Sequence, residues 1–313
     1  MCVFPIIEPR SNASKVNALI REYLHRERSY DYDVLNAIIG ILRHVCSHFW
    51  GLPFEPWDPS TRHKLPSEGR ARPNYKFLEA LLWKPEYEAK STISKRNDFP
   101  SWNWVAYKGI TGIKQGSHFW DACETSVDVR IQDNSHRSLD IQEYMQEMEE
   151  KYDTYRFKPC VFLTGWITYM HFRCCDVPWD AMLSPGEPMS LVAFEESLRT
   201  IIGSVTIMTS LFEHTVPGMK TIFDQKWPVL LYVDEHGTDN LCGLVLKPVG
   251  NDRYERLGTL DSHRFPGRRW KMEGCMACLS TEKKMSKDDK PSGNGSLSRI
   301  SKLECERRTI ELR

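Results

Sequence analysis

The sequence lacks an excess of charge of either sign, since 42 Lys and Arg residues balance 42 Asp and Glu residues. Proteins that bind nucleic acid gain most of their affinity from cationic side chains on phosphate, so we expect no nucleic-acid partner. No apolar run approaches the roughly 20 residues of a membrane-spanning helix. The segment Met1 to Arg10 also lacks the basic flank and long apolar stretch of a secretory signal. We therefore expect a cytoplasmic protein without membrane association.

The short motifs of the common enzyme classes are also missing. The sequence contains no Gly-x-Ser-x-Gly, no phosphate-binding Gly-x-x-x-x-Gly-Lys loop, no His-Glu-x-x-His, and no Gly-x-Gly-x-x-Gly after a predicted strand. A catalytic triad can be dispersed along a chain, so the missing motifs do not exclude an enzyme by themselves. Because no residue pattern indicates a nucleophile, an acid–base pair or a cofactor site, we predict no catalytic residues, no cofactor and no enzymatic activity.

Metal ligands in a complete set are missing as well. The ten cysteines are scattered among apolar residues, which favours reduced thiols that pack as small apolar side chains. Cys275 and Cys278 form the one Cys-x-x-Cys pair, whereas a structural zinc site normally needs four ligands. Two ordinary cysteines are the preferred interpretation, and metal binding is the alternative. His44 and His48 have the spacing of a helical metal pair, but no third ligand is evident.

Hydrophobic periodicity predicts an α+β protein. Apolar residues at helical spacing indicate helices near residues 14–24, 33–45 and 75–83, and an acidic helix over 133–153. Segments rich in Val, Ile, Phe and Thr indicate strands at 160–170, 201–208, 228–233, 241–247 and 254–260. Gly and Asp turns join the last three strands, which predicts a meander of antiparallel hairpins. We expect a helical N-terminal part packed on a mostly antiparallel sheet.

Composition suggests four regions along the chain. Residues 1–125 are predicted to form a helical subdomain with an extended Trp-rich segment, and residues 126–279 an acidic helix followed by antiparallel strands. Gly, Ser, Lys and Asp predominate between Ser280 and Ser298, which predicts a disordered insert at 280–306. Residues 307–313 are predicted to form a final edge strand. The stretch from Glu55 to Asn74 is predicted to be an exposed loop.

The ten tryptophans are the most informative feature that is present. Trp102 and Trp104 alternate with Asn103 and Val105, which predicts a strand or extended segment with both indoles on one side. Such a pair could pack in the core or offer a stacking surface to a ligand. Core packing is the preferred interpretation, since tryptophans are highly buried on average.

Five short segments, in order, resemble the region that follows the HET domain in fungal heterokaryon-incompatibility proteins. The first is Asp33-Val34-Leu35-Asn36-Ala37-Ile38-Ile39-Gly40-Ile41, preceded by Tyr23 and Arg26. The others are Gly51-Leu52-Pro53, Ala80-Leu81-Leu82-Trp83, Phe99-Pro100-Ser101-Trp102-Asn103-Trp104 and Lys108-Gly109. We call the following positions the motif residues: Asp33, Leu35, Asn36, Ala37, Gly40, Gly51, Leu52, Pro53, Leu81, Leu82, Trp83, Pro100, Ser101, Trp102, Trp104 and Gly109.

The resemblance implies an accessory role in self/non-self recognition and programmed cell death, with other incompatibility proteins as possible partners. The HET domain, which is the cell-death effector of that family, has no matching segment here. The resemblance therefore implies a truncated or HET-less member. Most motif residues are apolar, small or turn-forming, which are types that build a scaffold. Among the polar ones, Asp33 is expected to cap the second helix and Asn36 to bond the backbone of a neighbouring turn; a substrate role for Asn36 is the alternative.

Overall fold

The computed structural model describes twelve stretches of the chain. These are residues 12–26, 33–43, 46–54, 74–88, 93–114, 127–151, 153–173, 189–195, 200–207, 225–232, 242–261 and 303–313. The predicted loop between Glu55 and Asn74 lies outside them except for Asn74, and so do Cys275 and Cys278. The predicted disordered insert also lies outside, apart from residues 303–306.

The described residues contain four α-helices. They are α1 (Asn12–Leu24), α2 (Asp33–Leu42), α3 (Asn74–Leu81) and α4 (Ile141–Lys151). α2 buries Val34, Leu35, Ile38 and Leu42, whose spacing places them on one side of a helix. Its first residue is Asp33, the predicted cap.

Three two-stranded sheets lie among these helices. β1 (Ser47–Phe49) pairs with β2 (Leu52–Phe54), β3 (Lys84–Glu86) pairs with β6 (Gly112–Lys114), and β4 (Ser94–Lys95) pairs with β5 (Tyr107–Lys108). All three pairs are antiparallel. The N-terminal part is therefore not purely helical, and the β1–β2 hairpin lies between α2 and α3.

The remaining nine strands form one large sheet. They are β7 (Asp128–Asp133), β8 (Ser138–Leu139), β9 (Phe157–Arg173), β10 (Met189–Glu195), β11 (Thr200–Ile207), β12 (Trp227–Tyr232), β13 (Cys242–Gly250), β14 (Arg253–Asp261) and β15 (Glu306–Leu312). The predicted α+β class is confirmed, and so is the meander, since β12, β13 and β14 pair antiparallel in succession.

The large sheet closes on itself. Its order is β10-β11-β14-β13-β12-β9-β7-β8, and β10 also pairs with β9. β15 lies between β14 and β9, parallel to the first and antiparallel to the second. The predicted final strand forms as β15, but it is not an edge along its whole length, because Glu311 and Leu312 pair with β14 as well as with β9. Strand β9 is 17 residues long and pairs with different strands at different points along its length. The local sequence of residues 307–313 does not indicate which strands β15 will pair with.

A single hydrophobic cluster joins the helices to the sheet. It includes Val16 and Leu35 from the helical part and Leu163, Leu244 and Ile310 from the large sheet. Every described residue of β12 and the first five of β13 are buried. The predicted boundary at 125/126 lies outside the described residues, and the parts on either side of it share one core.

The acidic helix is shorter than the sequence predicts. Residues 133–139 belong to the β7–β8 hairpin instead of the helix, and the helix begins at Ile141. The Asp133 carboxylate accepts hydrogen bonds from the backbone amides of Ser135 and Arg137 at 2.9 Å each, which favours a turn at this point. Asp140 and Glu143 then exchange side chain-to-backbone bonds at 2.7 and 2.8 Å, a capping box that begins α4.

No helix among the described residues is long and apolar enough to cross a membrane.

Candidate functional site

Two of the motif segments meet at a tight turn between β1 and β2. Trp50 and Gly51 both have positive φ, at 50° and 84°, which is the backbone of a two-residue type I′ hairpin loop. The Trp104 indole Nε1 donates to the Gly51 carbonyl at 2.9 Å, and the Asn103 amide Nδ2 donates to the Trp50 carbonyl. Motif segments 53 residues apart in sequence thereby hold one turn in place.

The Trp-rich segment is a turn followed by a short 3₁₀ helix, so the predicted strand at this point is wrong. The 3₁₀ helix covers Trp104–Ala106 and is capped by Asn103, whose Oδ1 accepts from the Val105 amide at 3.0 Å. A local side chain-to-backbone bond of this kind competes with strand pairing, and the apolar alternation does not report it. The strand β5 begins only at Tyr107.

The indoles of this segment are wholly buried. Trp83, Trp102 and Trp104 are each 0% exposed, and Trp102 stacks on Phe49 with a centroid distance of 5.4 Å and an interplanar angle of 10°. Trp83 donates its Nε1 hydrogen to the Trp102 carbonyl at 2.7 Å. The burial agrees with the core-packing interpretation, since a ligand could reach Trp102 or Trp104 only if the core opened.

Exposure divides the motif residues into two groups. The buried ones are Leu35, Gly51, Leu52, Pro53, Leu81, Leu82, Trp83, Pro100, Ser101, Trp102 and Trp104. The exposed ones are Asp33, Asn36, Ala37, Gly40 and Gly109. Asn36 bonds the hydroxyl of Tyr155 through its side chain, instead of the backbone bond that the sequence predicts. Tyr155 is half exposed and packs edge-on against Trp50.

Gly51 and Gly40 should respond in opposite directions to alanine. A Cβ at Gly51 would have φ near +84° and would lie 3.0 Å from Leu35 Cδ1, so we expect Gly51→Ala to lower the free energy of unfolding by about 1–2 kcal/mol. Gly40 is exposed in α2, and its Cβ would meet nothing within 4 Å. Gly40→Ala should therefore raise stability by about 0.5–1 kcal/mol.

Urea unfolding followed by circular dichroism measures both glycine variants against the wild type. Equal effects of the two substitutions would contradict the assignment of Gly51 to a turn that requires a positive φ.

Ser101 links the motif to the large sheet. Its Oγ accepts from the backbone amide of Arg256 at 2.6 Å and donates to the carbonyl of Arg313. The Ser101 amide donates to the same carbonyl at 3.0 Å, and the Ser101 carbonyl accepts from the Tyr107 hydroxyl at 2.9 Å. Every hydrogen-bonding group of Ser101 thus holds protein backbone or a buried tyrosine, which is a structural role.

Arg256, whose amide bonds Ser101, is buried. Among the described residues where the motif meets the large sheet, it is the one charged residue that is as little as 1% exposed. Its Cζ lies 4.2 Å from the centre of the Trp83 ring, and its Nη2 donates to the Trp83 carbonyl. Nε and Nη1 have no hydrogen-bond partner in the described part of the chain. Two further unpartnered polar groups, the Tyr232 hydroxyl and the Thr259 Oγ1, are buried on the same sheet.

The strand register places these three side chains on one face. Arg256 lies opposite Leu246 and Thr259 opposite Leu244, because the irregularity in β14 skips Leu257. Tyr232 lies opposite Cys242 on the same β13 strand. Alternate residues of a strand share a face, so the side chains of Cys242, Leu244 and Leu246 lie on one face of β13. Residues that lie directly opposite each other on paired strands also share a face, so Tyr232, Thr259 and Arg256 lie on that face too. We call Arg256, Tyr232 and Thr259 the Arg256 cluster.

Burial shifts the ionisation of the cluster toward neutral forms. Loss of hydration lowers the pKa of Arg256 to about 10, although the field of Tyr107 and Tyr232 opposes this shift. Burial also raises the pKa of the Tyr107 and Tyr232 hydroxyls, and the Arg256 charge partly offsets that rise. At neutral pH the cluster therefore holds one cation, and the phenols of Tyr232 and of the neighbouring Tyr107 are neutral, which leaves a net positive charge inside the protein.

The sequence offers no clear signal for this cluster. Arg256 lies in a strand pattern with Arg253 and Glu255, both of which are at least partly exposed, and only the irregularity at Leu257 and the packing of Trp83 bury it. An arginine within a predicted strand is ordinarily assigned to the solvent face.

His48 does not lie on the predicted helix over 33–45, so it lacks the helical spacing to His44 that the sequence indicates. α2 ends at Leu42, and His48 lies in the short strand β1, whereas His44 is outside the described residues. No group of three His, Cys, Asp or Glu side chains that could hold a metal ion occurs in the described stretches. His48 is 4% exposed, and burial together with the nearby charge of Arg43 lowers its pKa to about 4.

No family model, curated protein or solved structure matches this chain. The resemblance to the region that follows the HET domain therefore stays a prediction.

Proposed function

We propose that this chain is a non-catalytic accessory region of a HET-family heterokaryon-incompatibility protein. In this role it regulates cell death or recognises other incompatibility proteins in the cytoplasm. The observation that supports the proposal is how the motif residues are used. The polar groups of Ser101 and Asn103 and the indole nitrogens of Trp83 and Trp104 all bond the protein's own backbone.

Hydrogen bonds of this kind support a structural role for the motif and not a catalytic one. A catalytic motif needs at least one reactive group that faces a substrate, with a base or donor in reach of it. The buried members of the motif serve to fasten α2, the β1–β2 turn and the large sheet together. Four of the five exposed members, Asp33, Asn36, Ala37 and Gly40, lie on α2, and the side chain of Asn36 there accepts from the Tyr155 hydroxyl.

Fusion to a HET domain tests the proposal in a filamentous fungus. We expect cells that express the chain alone to stay viable. We expect the fraction of cells killed by a HET domain fused upstream of the chain to differ from the fraction killed by the HET domain alone. Trp102→Ala in the fusion should abolish the difference, because it destabilises the fold. Val249→Ala, at a residue 48% exposed, should preserve it. Identical killing with and without the chain would refute the regulatory role.

A ligand- or peptide-binding module that uses the Trp-rich segment is the alternative proposal. It has less support, because Trp102 and Trp104 are 0% exposed. Quenching of tryptophan fluorescence by a small ligand, lost on Trp104→Phe, would favour it.

A further inference from the structure

We propose that the Arg256 cluster binds one small oxyanion, a carboxylate or a phosphate, inside the folded protein. The proposal is independent of the proposed accessory function. It concerns the face of the large sheet beneath Trp83, and it would hold whether or not the chain acts with a HET domain. It rests on two properties of the cluster, the unpartnered donors and the uncompensated charge.

The donors that lack partners are the first property. Buried polar groups in folded proteins are almost always hydrogen-bonded, and each exception calls for an explanation. Arg256 Nε, Arg256 Nη1, the Tyr232 hydroxyl and the Thr259 hydroxyl are all buried without a partner among the described residues. All four can donate a hydrogen, and they belong to side chains on one face of β12–β14. The charge of Arg256 acts on the Tyr232 hydroxyl, which shows that these two side chains approach each other, and Thr259 lies between them along β13. A group that accepts several hydrogen bonds beside the Arg256 guanidinium would satisfy its two free donors and bring a neighbouring hydroxyl into use.

The uncompensated charge is the second property. Arg256 contacts the carbonyl and the ring of Trp83, and neither carries a negative charge. Glu255 is adjacent in sequence, but its carboxylate pairs with Lys95 and with Lys247, and it extends from the other side of the strand. A cation buried without a counter-ion is strongly destabilising. An anion would remove this cost, whereas a water molecule would satisfy only the hydrogen bonds.

The side chains indicate the class of ligand. A guanidinium and two hydroxyls offer hydrogens to oxygen atoms, and an oxyanion accepts several such bonds with its charge delocalised over them. A metal cation is excluded by the charge of Arg256. Because Arg256 and Tyr232 are each 1% exposed, the ion would enter as the chain folds and exchange slowly afterwards.

Refolding tests the proposal. Wild-type protein is unfolded in urea, dialysed free of bound ions and refolded at constant ionic strength in chloride, acetate or phosphate. We expect Tm to rise by about 2 °C for each tenfold increase in the concentration of the effective oxyanion, relative to chloride. A rise of Tm with acetate alone identifies the ligand as a carboxylate, and a rise with phosphate alone identifies it as a phosphate. A rise with both shows that the site accepts either oxyanion. No rise over chloride with either would overturn the proposal.

Two variants locate the effect. Arg256→Met removes the charge and keeps an apolar side chain of similar length, so the dependence of Tm on oxyanion should disappear. Lys95→Met, which removes a partly buried cation paired with Glu255, should keep it. An equal rise of Tm in Arg256→Met would show general salt stabilisation and overturn the site. If Arg256→Met does not fold, ion chromatography of the desalted and denatured wild type decides, with a single oxyanion released per chain expected and none released overturning the proposal.

Discussion

Replacing Trp102 with alanine should lower the free energy of unfolding by about 3–5 kcal/mol, the range for emptying a buried aromatic site. Trp102 is 0% exposed and stacks on Phe49, which itself packs edge-on against Phe77 and Tyr144. The substitution leaves these rings facing a cavity that the surrounding strands and helices cannot fill. Its carbonyl would still be bonded by Trp83, so the loss comes from packing.

Trp166 provides the matched control for this prediction. It is 38% exposed on β9, so the same tryptophan-to-alanine change should cost well under half as much. Urea denaturation followed by circular dichroism measures both variants. A Trp102→Ala midpoint equal to that of the wild type would show that the indole is exposed, and would favour a ligand-stacking role for the segment.

Acidification should destabilise the protein through His48 by about 3 kcal/mol between pH 6.5 and pH 4. Its pKa falls from 6.5 in the unfolded chain to about 4 in the folded one, because burial and Arg43 disfavour the charged ring. In this window the unfolded chain binds a proton that the folded chain does not. The stability is thus fully present above pH 6.5 and is lost as pH falls through about 4.

His48→Leu isolates this contribution. Neither ring nitrogen of His48 has a hydrogen-bond partner among the described residues, so leucine should be tolerated at pH 7. The variant should lose much less stability than the wild type between pH 6.5 and pH 4, as measured by urea midpoints across that range. The Asp133 carboxylate, whose pKa is lowered chiefly by its hydrogen bond from Ser135, keeps most of its contribution in this window and loses it mainly as pH falls below its ordinary value of 3.8. A wild-type loss that persists unchanged in His48→Leu would refute the assignment.

Local patterns predicted those elements whose residues repeat at a clear period between turn signals. The alternation and turns from Pro228 to Leu260 predicted β12, β13 and β14, and the apolar spacing after Asp33 predicted α2. Predictions failed where a side chain redirects the backbone. Asp133 makes a turn in what reads as a helix, and Asn103 caps a 3₁₀ turn in what reads as a strand.

The candidate site was predictable only in part. The resemblance selected residues that the fold does bring together, such as Gly51, Ser101 and Trp104. It did not indicate that Arg256 lies beneath them, because nothing in the local sequence marks that arginine as buried. Its burial results from contacts between residues that are 173 positions apart.

The sequence by itself determined the α+β class and the antiparallel meander, because hydrophobic period and turn residues act over a few positions of the chain. Only the tertiary structure decided that the end of β15 pairs with both β14 and β9, that the tryptophans fasten the β1–β2 turn, and that a cation lies unpaired beneath Trp83. These features depend on which distant segments meet. That choice is made by the packing of the whole core, and no local window of residues contains it.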